Sequence, residues 1–214
     1  MDIRSLNDYM DEHGSGEHPV LHELYRYTNL NVVNPFMLGG PRLGQLLRFI
    51  VYMLKPRLLL EIGTFTGYST IAMALDAPEG AVIHTIEPND ELSEISTRFF
   101  RMAGVEEMIV MHTGRAQDMV PHLGLKFDMI FIDGDKREYP QYYRLAKSHL
   151  SAGGIIVADN VIWGGKVLDS SAKDARTDAI RVFNEMVKDD STMEKLMLPL
   201  RDGITLIRRG DVAG

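Results

Sequence analysis

Five short apolar runs, at residues 57–62, 81–86, 108–112, 127–132 and 154–158, punctuate the middle of the chain without alternating with polar positions. Continuous runs of this kind, rich in Ile, Val, Leu and Met, fit strands covered on both faces, as in a parallel sheet. Between them, longer amphipathic stretches at 67–75, 90–103, 116–123 and 139–150 predict helices, so the order is that of βαβ units. Gly104 and the pair Gly153 and Gly154 follow two of these stretches as predicted helix stops. Upstream, Leu43, Leu46, Leu47, Ile50, Val51 and Leu54 recur at helical spacing, and residues 1–56 read as a helical cover beside the sheet or over its functional edge. Downstream, a loop with Trp163, Gly164 and Gly165 leads to a predicted helix at 174–188. Two last runs, 194–198 and 203–208, predict an antiparallel hairpin that closes the sheet. With no internal repeat or linker, residues 1–214 read as a single α/β domain with its core at 57–208.

Composition narrows the class. The 214 residues are 45% hydrophobic and 25% charged, enough apolar surface for a core and too well mixed for a fibrous or disordered chain. There is no cysteine, which removes disulfides, thiolate metal sites and cysteine nucleophiles together. No apolar run is long enough to span a membrane, and Met1, Asp2, Ile3 and Arg4 do not begin a secretory leader, so a cytoplasmic location is expected. A net charge of −7 argues against a nucleic-acid partner, because phosphate contacts need clustered Lys and Arg.

Candidate chemistry sits where apolar runs end. Leu60 to Ser69 reads strand, glycine-bounded turn (Gly63, Gly67), helix start, an arrangement that lets a ligand approach backbone N–H groups. Its GxxxG spacing lacks the third glycine of a pyrophosphate-binding turn. Glu87 ends the second run, where open α/β sheets place an acid against a ribose diol. Taken together these features favour an adenosine ligand without pyrophosphate; singly, the turn is also a common packing device and Glu87 also fits a solvated strand end. The fourth run enters Asp133-Gly134-Asp135-Lys136 and the fifth Asp159-Asn160. Asp133, Asp159 and Asn160 offer hard oxygen ligands suited to Mg²⁺ or Mn²⁺, and Lys136 lies one turn beyond as a candidate base. Helix capping is the competing use of each Asp. The histidines His13, His18, His22, His84, His112, His122 and His149 form no metal motif and read as solvated or capping.

These motifs, with Gly-Gly-Ile-Ile-Val-Ala-Asp-Asn-Val-Ile-Trp (153–163) and Asp202-Gly203-Ile204-Thr205, resemble those of the cation-dependent O-methyltransferases that include catechol and caffeoyl-CoA O-methyltransferases. The resemblance runs from about Asn34 to Arg208. It implies a single-domain Rossmann-like class I methyltransferase fold, with a mostly parallel seven-stranded sheet, an antiparallel C-terminal hairpin and helices on both faces. It implies S-adenosylmethionine as cofactor, its methionine end on Gly39, Glu61, Gly63, Thr64 and Ser69, its ribose on Glu87, its adenine beside Ala116, Met37 near the transferring methyl, and Phe65 and Asp133 among its further contacts. It also implies a metal on Asp133, Asp159 and Asn160, with Asp133 and Lys136 as catalytic residues and Lys136 the base. Gly134 and Glu138 depart from the residues that many members carry there.

The expected reaction is metal-assisted methylation of a vicinal-hydroxyl, catechol-like or hydroxycinnamoyl-type aromatic acceptor, with Trp163 placed as a wall for the ring or as a core anchor for its loop. Some bacterial relatives instead methylate a hydroxylated uridine in tRNA, and a non-catalytic adenosine-binding or oligomerisation module is a third reading. The resemblance implies a homodimer.

Overall fold

The computed structural model describes residues 3–210; the ends of the 1–214 span, including Met1 and Asp2, lie outside the described residues. Its centre is one seven-stranded sheet in the order β3-β2-β1-β4-β5-β7-β6. The strands are β1 (Leu58–Ile62), β2 (Val82–Glu87), β3 (Ile109–Thr113), β4 (Phe127–Ile132), β5 (Leu150–Asp159), β6 (Met193–Leu198) and β7 (Ile204–Arg209). β1 to β5 are mutually parallel where they pair, and β7 runs antiparallel to both β5 and β6. The helices are α1 (Ile3–His13), α2 (Pro19–Asn31), α3 (Pro41–Leu54), α4 (Tyr68–Leu75), α5 (Ser93–Met102), α6 (Ala116–Leu123), α7 (Tyr139–His149) and α8 (Ala175–Asp189).

Strand periodicity sorts the core into two layers. Leu59, Ile83, Phe131 and Val157 face α2, α3, α4 and α5, while Leu60, Ile62, Ile130, Ile132 and Ile156 face α6, α7 and α8. Each fully buried side chain of this size contributes roughly 1.5–3 kcal/mol by leaving water. Helix α4 is buried from Tyr68 to Ala74, which explains why its sequence carries no polar face. The chain winds outward from β1 to β3, then returns to place β4 on the other side of β1, so the strand order reverses between β1 and β4. Ligands of open α/β sheets bind outside the carboxyl ends of strands at such a reversal.

Two readings of the sequence are corrected. Gly153 and Gly154 do not stop a helix: α7 ends at His149, and both glycines lie within β5. Leu150 pairs with Phe127 and Ile155 with Met129, so this stretch bulges against β4, and a Cβ at Gly154 would come within 2.9 Å of the Phe127 carbonyl. Nor are all histidines solvated or capping. His18 does cap α2, but His84 and His112, on neighbouring strands, are half-buried, with Nδ1 and Nε2 2.9 Å apart and the rings stacked at 5.2 Å.

Burial lowers the pKa of both His84 and His112 below the ordinary 6.5, and the neighbouring His112 ring lowers that of His84 further. Their hydrogen bond also needs one unprotonated nitrogen. The folded protein thus binds fewer protons than the unfolded chain, and this contribution to stability is complete above about pH 6.5 and is lost as pH falls towards the folded values. Relative to the unaltered protein, His84→Phe should gain urea stability as pH falls from 7.5 to 5; parallel pH profiles of the two proteins would exclude the pair as a source of pH dependence.

Candidate functional site

The carboxyl ends of β1, β2, β4 and β5 open into a cavity of about 810 Å³. One end is bounded by Glu87, Gly114 and Ala116, the other by Asn160, Trp163, Arg176 and Arg201, and residues 34–39 form one wall. Its floor exists because β1 and β4 end almost in contact. A Cβ at Gly63 would lie 2.5 Å from the Asp133 carbonyl, and Gly63 has φ +103°, so glycine is required twice over. Gly67, with φ +88°, starts α4 where a side chain would strike Phe100.

Of the residues singled out from sequence, Met37, Gly39, Gly63, Thr64, Phe65, Ser69, Glu87, Ala116, Asp133, Lys136 and Asn160 line this one cavity. Glu61 and Asp159 lie beneath it, 0% and 1% exposed. Glu61 Oε2 accepts hydrogen bonds from Thr70 and, at 2.6 Å, from Thr85, whose hydroxyl also meets Thr64. Its Oε1 is buried without a partner. Burial pushes the Glu61 carboxyl up to about 7 against the opposing pull of the Ser69, Thr70 and Thr85 hydroxyls, and the Asp133 charge adds to the rise. Glu87 ties the turn after β1 to the end of β2: its Oε2 accepts from the Phe65 N–H at 2.8 Å and its Oε1 from Asn89 at 3.0 Å. Phe65 takes φ +50°, which turns its N–H onto that carboxylate.

At the other end, Lys136 Nζ donates to Asp133 Oδ1 at 2.6 Å and to the Tyr139 hydroxyl at 2.8 Å. The Tyr139 hydroxyl in turn donates to the Asp159 carbonyl at 2.8 Å. Burial and the charges of Asp133 and Asp159 push that phenol well above its ordinary range, keeping it a neutral donor. Asp159 is likewise raised, by burial first and then by the Asp133 charge, with Arg201 and Lys136 opposing. Asp133 and Asp159 thus stand at the ends of adjacent strands, with Asn160 next in the chain, and their hard oxygen atoms are of the kind that could hold a divalent cation. Among the described residues no three His, Cys, Asp or Glu side chains gather into a group that could hold a metal ion.

Several contributors escaped the sequence reading. Arg201 reaches Asp159 at 3.3 Å from the turn before β7, and Glu138 accepts from Arg115, Gln117 and Tyr142 at 2.5, 2.8 and 2.9 Å, joining the start of α6 to α7. Gly134 belongs to the same arrangement, since a Cβ there would come 2.9 Å from the Tyr142 ring. The departures at Gly134 and Glu138 are therefore coupled through Tyr142. Trp163 both lines the cavity and packs on the second core layer, so its two readings describe one residue.

A family model described as O-methyltransferase matches residues 11–210. The chain is 32% identical over 200 residues to the caffeoyl-CoA O-methyltransferase of Stellaria longipes, covering 88% of this chain and 83% of that protein. It is 33% identical over 170 residues to a catechol O-methyltransferase of Niastella koreensis, covering 78% and 77%. Among solved structures, the O-methyltransferase TomG of Streptomyces achromogenes in complex with SAM is similar with a TM-score of 0.89 at 29% identity, over 98% of this chain and 99% of that one. SAH-bound PaMTH1 of Podospora anserina is similar with a TM-score of 0.90 at 26% identity, over 99% and 97%.

The raised Glu61 carboxyl carries a pH signature. A carboxyl whose folded pKa exceeds its unfolded value of 4.5 costs stability progressively from pH 4.5 to about 7 and fully above. Across that window the stability of Glu61→Gln relative to the unaltered protein should move in the variant's favour by up to about 3 kcal/mol, read from urea unfolding at pH 4.5 and 8 without ligands. A pH-independent gap would show that Glu61 stays charged in the fold.

Proposed function

The chain belongs to the O-methyltransferase family whose model spans residues 11–210, and from that premise we propose that it transfers the methyl group of S-adenosylmethionine to a small aromatic acceptor with vicinal hydroxyls, assisted by Mg²⁺ or Mn²⁺. The observation that carries this reading is one cavity joining the Glu61–Glu87 end to the Asp133–Asp159–Asn160 end. Its volume, about 810 Å³, suits a cofactor and a small acceptor together.

The unpartnered Glu61 Oε1 fits the ammonium of a methionine moiety, with Gly39, Gly63, Thr64 and Ser69 around it. Glu87 keeps lone pairs for ribose hydroxyls beyond the two backbone bonds it accepts, and Ala116 sits where an adenine ring would lie flat. S-adenosylmethionine would supply an electrophilic sulfonium methyl, and a divalent cation, which Asp133, Asp159 and Asn160 would hold, would supply Lewis acidity. Lys136 Nζ, held by Asp133 and Tyr139 and acting as the neutral amine once its own proton has left to solvent, takes the proton that the acceptor hydroxyl releases. Met37 and Phe36 on one side and Trp163 on the other wall the ring and keep water from the sulfonium. Acidic residues outnumber basic ones along the cavity, which favours a small phenol over a polyanion. No helix among the described residues is long and apolar enough to cross a membrane. Exposed Phe49, Tyr52 and Met53 on α3 support the homodimer that the family resemblance implies.

Labelled S-adenosylmethionine should methylate a dihydroxyphenyl acceptor with Mg²⁺ and not with EDTA, and bulk tRNA run in parallel should stay unlabelled. Label in tRNA alone would transfer the function to RNA. Lys136→Ala should lose about 10²–10⁴-fold in kcat at neutral pH, the usual worth of a general base. Full turnover would remove Lys136 from the scheme. Asp159→Ala should lose both turnover and its response to Mg²⁺, and an active, EDTA-sensitive variant would shift the metal elsewhere.

A further inference from the structure

The Asp133–Asp159 pair already faces two cations of the chain itself. Lys136 holds Asp133 Oδ1 at 2.6 Å, and Arg201 Nη1 lies 3.3 Å from Asp159 Oδ2. The other Asp159 oxygen accepts from the Asn160 N–H at 2.8 Å, so both oxygens of this buried carboxylate have a partner. A cation that binds Asp159 at Oδ2 therefore meets the guanidinium charge there, 3.3 Å from the oxygen both would use.

Arg201 is held there by construction. The turn before β7 is laced to the loop after β5 by hydrogen bonds from Ile162 N to the Asp202 carbonyl at 2.8 Å and from Val161 N to the Gly203 carbonyl at 3.1 Å. The Gly164 N–H donates to the Asp202 carboxylate, and Gly203, at φ +85°, leaves no room for a side chain against Ile162. Arg201 itself sits at φ +52°, a left-handed conformation that costs a non-glycine residue energy and aims its guanidinium between Gly39 and Asp159. Its side chain is 27% exposed, so the charge is only partly screened.

Resting on the metal reading above, we propose that Arg201 is a built-in counter-cation for the Asp133–Asp159 pair, one that competes with a divalent ion for Asp159, so that Arg201 lowers the site's affinity for metal. It keeps the two carboxylates assembled when no ion is bound and opposes the ion by like charge when one enters.

The test uses the full chain, stripped with EDTA and titrated with Mn²⁺ by calorimetry and by the paramagnetic resonance signal of free Mn²⁺. Arg201→Gly, which suits the left-handed backbone, and Arg201→Gln, which keeps a polar side chain, should both bind Mn²⁺ at least about tenfold tighter than the unaltered protein. Arg208→Gln removes the same charge from an exposed pair with Glu194 and should leave the affinity unchanged. In EDTA both Arg201 variants should melt below the unaltered protein and regain the difference on adding Mn²⁺. Unchanged affinity in the Arg201 variants, equal tightening in Arg208→Gln, or unchanged melting in EDTA overturns the role of Arg201 and leaves the metal reading standing. Absence of Mn²⁺ binding by the unaltered protein and the variants alike, Asp159→Ala included, overturns the metal reading and the inference together.

Discussion

Three carboxylates, Glu61, Asp133 and Asp159, are packed at or under the carboxyl edge of neighbouring strands, two of them with essentially no exposure. Buried negative charge at this density is expensive unless it is hydrogen-bonded or neutralised. Much of the surrounding architecture answers that demand. Thr70 and Thr85 turn their hydroxyls onto Glu61, Lys136 pairs with Asp133, and Arg201 reaches Asp159 from a distant turn. The apolar layers on both faces of the sheet hold the strands rigidly enough to keep the charges together.

The compensation is incomplete in a directed way. Glu61 keeps one oxygen unpartnered, Asp159 keeps a raised pKa, and both lie against the same cavity floor. An electrostatic deficit of this kind is preorganised for a positive ligand, because the repulsion was overcome on folding and binding relieves it. An ammonium at the Glu61 end and a divalent cation at the Asp133 end would each relieve part of it. The close meeting of β1 and β4 at Gly63 holds the Glu61 and Asp133 ends of that floor together.

Loops then decide what the rigid edge can accept. The wall at residues 34–39 exposes Phe36 and Met37, 80% and 52%, towards the cavity mouth, and Trp163 takes a left-handed backbone to face it. Glu138, Tyr142 and Gly134 form a matched set against the start of α6, in which glycine leaves room for the tyrosine ring and the tyrosine completes the shell of the glutamate. Scaffold and specificity thus reside in different parts of the chain.

The strand and helix order was legible in the sequence because apolar runs and amphipathic spacing are local consequences of burial on two faces or one. The predicted span 127–132 is β4 and 116–123 is α6, and the other elements shift by a few residues. The position of the cavity was legible too, because many of the polar residues that line it directly follow apolar runs. Beyond local reach were Gly153 and Gly154, whose place in β5 depends on a bulge against β4, and the pairing of His84 with His112 across two strands. Arg201 gives the sharpest case, since its charge acquires meaning only when the turn before β7 folds onto the loop after β5. Sequence determines which segments must be buried and which residues stand at their ends; tertiary structure decides which charges face each other, because those distances are set by chain crossings that no local period records.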